Sequence, residues 1–163
     1  MADTRKKLKK IDEHARDWMR HNGIPLLRIS LGIVFFWFGI LKFFPDLSPA
    51  EELVRMTIEV LTFELVPPGV GVVLVATLEC IIGVGLLLGK CLRLVLALLW
   101  LQMIGAMSPM LLFPEQVFMV VPLVPTIEGQ YIIKNLIVIS AAIVIGATIK
   151  NPPHDKIPDA SDA

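Results

Sequence analysis

The sequence predicts an all-α integral membrane protein: a four-helix bundle with an amphipathic N-terminal helix and a short helix on its outer surface. Apolar residues fill 55% of the 163 positions, and four spans of about 20 residues each would absorb nearly all of them. Charged residues make up 18% of the chain against about 25% in an average soluble domain, and mean hydropathy is +0.73. Most charges gather between the apolar runs. This excludes a secreted, disordered or nucleic-acid-binding domain, and the length accommodates one compact unit.

Residues 1–22 read as a cytoplasmic amphipathic segment. Leu8, Ile11, Ala15 and Trp18 share one helical face flanked by lysines and arginines, the pattern of a helix lying on an anionic lipid surface. Asn22-Gly23 followed by Pro25 supplies a stop and turn. The four-span domain covers residues 23–150. Its first span, about 25–44, has a longer apolar run than a signal peptide and no small-residue cleavage site after it. Ser48-Pro49-Ala50-Glu51 reads as a capping box opening the short outer helix, which carries Glu51, Glu52, Glu59 and Glu64 among apolar residues. The second span is about 68–89, and a tight Lys90 to Arg93 connection leads to the third, about 92–113, which Pro109 kinks or ends. Residues 114–130 read as an apolar, proline-rich loop, 131–149 as the fourth span and 151–163 as a cytoplasmic tail.

Basic residues set the orientation. Arg5, Lys6, Lys7, Lys9, Lys10, Arg16, Arg20, Lys90, Arg93, Lys150 and Lys156 flank one side; Arg55 alone flanks the other, among acidic residues. The expectation is a multi-pass protein of the inner (plasma) membrane with both termini cytoplasmic. Cys80 and Cys91 match no redox pair or zinc site and read as small buried hydrophobes. His14, His21 and His154 lie outside the apolar runs, so neither a metal site nor a haem is expected.

Polar residues at membrane depth are costly and normally face a bundle interior. Arg28, Gly32, Phe35, Gly39 and Lys42 form one stripe on the first span, and Ala76, Glu79 and Gly83 form another on the second. Gln102 aligns with Gly105 and Pro109; Lys134 and Asn135 begin adjacent stripes on the fourth. At about 1.5 Å per residue, Glu79 and Gln102 lie near the midplane, with Lys134 roughly 9 Å above. Lys134 is therefore the expected partner of Glu79, Lys42 the second choice, and Arg28 a lipid-facing base reaching cytoplasmic phosphates. Three readings of the set stay open: interhelical glue, a headgroup pocket opening to the outer face, and a proton or ion path. Trp37, too deep for an interfacial belt, could join its phenylalanine neighbours at a flat site suited to a quinone ring, or pack against lipid.

Several stretches resemble a known family. RISLGIVFFWFGILKFFP, LVATLECIIGVGLLLG, the SPxxxxP stretch from Ser108 to Pro114 and EGQYIIKNLIVISAAIVIGA are similar, in this order, to the DoxX-like membrane proteins, particularly the YkgB-type branch. The resemblance covers about Leu27 to Ala147. It implies a four-helix inner-membrane protein linked with thiosulfate:quinone oxidoreduction, oxidative or chlorine stress and redox assemblies. Arg28, Lys42, Glu79 and Lys134 match its polar positions, with no catalytic role transferred.

The leading expectation is support of quinone-linked redox chemistry or stress defence. The ligand would be a quinone or lipid headgroup held by Lys42, Glu79, Gln102, Lys134, Asn135 and Trp37, or the chain would hold a redox protein partner. The alternatives are a small oligomeric transporter using Glu79 and a structural subunit without its own activity. Expected partners are membrane lipids, a redox protein or further copies of the chain, and no nucleic acid.

Overall fold

A computed structural model describes residues 2–44, 47 and 51–149, with side chains from residue 7 onward. The element order is α1 (Ala2–Leu41), α2 (Glu51–Leu61), α3 (Pro68–Leu88), α4 (Leu92–Met107), α5 (Pro109–Leu112), α6 (Pro114–Val117), β1 (Phe118–Val120), β2 (Val124–Pro125) and α7 (Ile127–Ala147). Among the described residues four helical stretches are long and apolar enough to cross a membrane: Lys7–Leu41, Pro68–Leu88, Leu92–Leu112 and Ile127–Ala147. The expected capping residues Ser48, Pro49 and Ala50 and the 151–163 tail lie outside the described residues.

The N-terminal segment corrects one expectation. There is no turn at Asn22-Gly23; α1 is one helix of 40 residues with Pro25 inside it. Pro25 removes the N–H that would bond the His21 carbonyl and crowds it, yet Gly23 keeps a negative φ and the helix continues through both residues. Side chains help to occupy the carbonyls of this stretch: Asn22 Nδ2 donates to the Trp18 oxygen at 3.0 Å, and His21 Nδ1 lies 2.7 Å from the Asp17 oxygen. At about 60 Å, α1 is twice the roughly 30 Å hydrocarbon layer, so about half of it is more than a single crossing needs.

The turn between α3 and α4 is short. Gly89 caps α3 at φ 67°, its N–H bonded to the Gly85 carbonyl at 3.0 Å, and Cys91 caps α4 at φ 50°. Proline at position 109 ends α4 at Met107 and starts the single turn of α5. The segment 114–130 is more ordered than the loop expected: α6 is followed by an antiparallel β1–β2 hairpin containing a cis Val121–Pro122 bond. The fourth span begins at Ile127, four residues early. Thr126 caps it, its hydroxyl accepting the Gly129 N–H at 3.0 Å and also lying within bonding distance of the Gln116 and Val117 carbonyls.

α1 packs along α3 through glycines. A Cβ on Gly83 would stand 2.5 Å from the Phe36 nitrogen, and one on Gly39 would meet the Cys80 sulfur at 2.9 Å. The main core joins α1, α3, α4 and α7 through Leu31, Phe35, Ile82, Leu86, Leu96, Leu99, Ala142 and Ile145. A smaller core of Leu53, Val117, Phe118 and Ile132 fixes α2 and the hairpin to the opposite end.

Candidate functional site

Three helices bring a polar set together at the α2 end of the bundle. Lys42 follows the last turn of α1, its N–H on the Gly39 carbonyl at 3.3 Å. Its ammonium Nζ donates to Glu79 Oε2 at 2.7 Å, and Gln102 Nε2 of α4 donates to Glu79 Oε1 at 3.0 Å. Both charged side chains of the pair are only 12% exposed. The common depth expected for Glu79 and Gln102 is what allows their bond. The expected Lys134–Glu79 pair does not form. Glycines draw α1 onto α3 and carry Lys42 to the carboxylate, whereas Lys134 lies on the far wall with its ammonium over the Tyr131 ring, 5.4 Å from the centroid.

Between these groups lies a cavity of about 470 Å³. Lys42, Glu79 and Gln102 line one part; Lys134, Asn135, Tyr131 and Glu128 line another; Phe35, Phe38, Met103 and Val138 supply apolar wall. α2 closes over it with Leu53, Thr57 and Ile58, all buried. Thr57 satisfies its own hydroxyl by donating to the Leu53 carbonyl at 2.6 Å. Five of the six sequence-selected ligand positions therefore meet at one cavity. Trp37 does not: it is 64% exposed, and Phe35 and Phe38 take the place expected for it, because Trp37 lies on the opposite face of α1.

Arg28 sits at the other end of the bundle. Its guanidinium lies against Gly89 at the C-terminus of α3, with Nε buried and without a hydrogen-bond partner among the described residues. This sets the half-buried side chain against the α3 C-terminus, at the end of the bundle away from the cavity.

Sequence spacing missed Tyr131 and the α2 residues as part of the site. The i, i+3 relation of Tyr131 and Lys134 was a usable signal. The folding of α2 over the cavity was not, because it depends on where the connection before Glu51 directs the helix.

Chemically, Glu79 accepts on both oxygens. Lys42 spends one ammonium hydrogen on it, and the Gln102 carbonyl remains an acceptor. A polar molecule entering the cavity thus meets donors from Lys42, Lys134 and Asn135 beside aromatic walls.

A family model described as DoxX matches residues 23–113. The chain belongs to the DoxX family. The match takes in Lys42, Glu79 and Gln102, while Lys134 and Asn135 lie beyond it. No curated protein and no solved structure matches.

Proposed function

We propose that this DoxX-family membrane protein binds the headgroup of a quinone in the α2-end cavity and so supports quinone-linked redox chemistry or oxidative-stress defence. The observation that carries the reading is a cavity of about 470 Å³, within the range of small-ligand sites, combining aromatic walls with converging donors. The donor set suits such a ring. Lys42 and Lys134 lie on different walls, where each could donate to a ring oxygen, and Phe35, Phe38 and Tyr131 could flank its plane. A bound quinone would supply two-electron, two-proton chemistry. The chain's own residues would orient it, hold the Lys42 Nζ in position through Glu79 and limit water beneath α2. The basic N-terminal half, the Lys90–Arg93 turn and the acidic α2 support an orientation with both termini cytoplasmic, in which the cavity would open toward the outer half of an inner membrane.

The test is quinone titration of the full chain in nanodiscs, with mass spectrometry of what co-purifies in mild detergent. Lys42→Met and Lys134→Met are expected to weaken binding at least about tenfold, or 1.4 kcal/mol, and to fail in complementing a hypochlorite-sensitive deletion strain. Unchanged binding and full complementation would sink the reading. The double hold on Glu79, from α1 and α4, favours interhelical glue as the second reading. In that case every polar variant would lose stability and function in proportion.

A further inference from the structure

The first half of α1 presents an apolar face that its own chain leaves uncovered. Leu8, Ile11, Trp18 and Met19 are each more than half exposed, on the part of the helix that continues past the membrane layer. At about 100° per residue, Leu8, Ile11, Ala15, Trp18 and Asn22 fall within an arc of about 80°. Ile29, Ile33, Phe36 and Ile40, all exposed, continue the same arc through the membrane half. Leu31, Gly32, Phe35 and Gly39, which face the bundle, centre about 130° away. Acyl chains can cover the membrane half of this face, but the first half exceeds the length that a bilayer core covers.

We propose that a second copy of this chain covers the face, the two N-terminal halves of α1 forming a parallel two-stranded coiled coil. The spacing is heptad-like: Leu8, Ala15 and Asn22 take the a positions, Ile11 and Trp18 the d positions. Asn22 at a is the polar core residue that selects two strands and fixes register. Ala15 leaves room beside the bulky Trp18. The flanks agree: Lys7 at g lies opposite Asp12 at e of the other strand, and the next such pair, His14 with Met19, carries no like-charge repulsion. The shared membrane forces both copies parallel and at equal height. Because α1 runs unbroken through Asn22 and Gly23, the exposed face continues on one helix from the membrane half into the first half. Two heptads are marginal alone in water, but membrane tethering raises their local concentration.

The test is cysteine cross-linking of the full chain in native membranes, in a Cys80→Ala, Cys91→Ser background. Leu8→Cys, Ile11→Cys and Ala15→Cys should give disulfide-linked dimers on mild oxidation, while Lys9→Cys and Glu13→Cys, on the outer face, should not. Equal yields at all five positions, or none at any, would overturn the proposal. So would quenching of a bimane label at Leu8→Cys or Ile11→Cys by brominated lipid, which assigns the face to the bilayer surface. A second measurement keeps every native cysteine: light scattering in mild detergent should give twice the chain's 18.1 kDa, falling to once in Ile11→Asp. A wild-type mass of one chain would count against it. Quinone binding is read separately, so this proposal and the cavity reading stand or fall apart.

Discussion

At the end of the bundle nearest the α3–α4 turn, Leu31, Leu86, Leu96 and Ile145 interdigitate, and Gly83 lets the α1 backbone touch α3. At the α2 end α1 still meets α3 through Gly39, but Lys42, Glu79 and Gln102 border a cavity of about 470 Å³. The first end has what a bundle in lipid needs for stability: small residues at contacts and large apolar ones between them. The second accepts empty volume and desolvated charge, both of which cost stability. The difference suggests a division of labour, in which close packing at one end clamps helices that would otherwise collapse into the space at the other.

Breaking the clamp should have the largest effect. Gly83→Val places carbon against the Phe36 backbone, which cannot move aside as a side chain can, and is expected to cost at least about 3 kcal/mol. Denaturant titration in mixed micelles would show it, with loss of quinone binding as a consequence. Leu86→Ala removes a fully buried side chain and should cost about 3 kcal/mol by the same measurement. Lys42→Met leaves Glu79 with Gln102 alone and should cost about 3 kcal/mol, most of it recovered in the Lys42→Met, Glu79→Leu double variant. A double-mutant cycle reads the coupling. Smallest in stability is Val138→Phe, which adds a ring where the wall faces empty space. A shift within about 1 kcal/mol together with abolished ligand binding would separate the two ends most cleanly.

Much of this division was visible in the residues. The stripe from Gly32 to Lys42 and the common depth of Glu79 and Gln102 follow from helical periodicity alone, and both are present in the fold. The partner of Glu79 was not visible, because depth along a helix says nothing of which helix lies beside it. Lys42 forms the bond through the α1–α3 contact, and α7 stands across the cavity. The hairpin after α6 also escaped notice: three-residue and two-residue strands leave too short a pattern to separate from a loop. The early start of α7 was signalled by Thr126 ahead of an apolar run, a cap that apolar counting passes over.

The left-handed residues Gly89 and Cys91 have a further effect on the site. Chain length from Glu79 down α3 and back up α4 sets where Gln102 arrives, and a turn this short has little slack to absorb a change. One residue inserted beside Lys90 and propagated into α4 would rotate Gln102 by about 100° and lift it about 1.5 Å, swinging its amide off the carboxylate. The turn therefore acts as a ruler for a hydrogen bond formed half a membrane away.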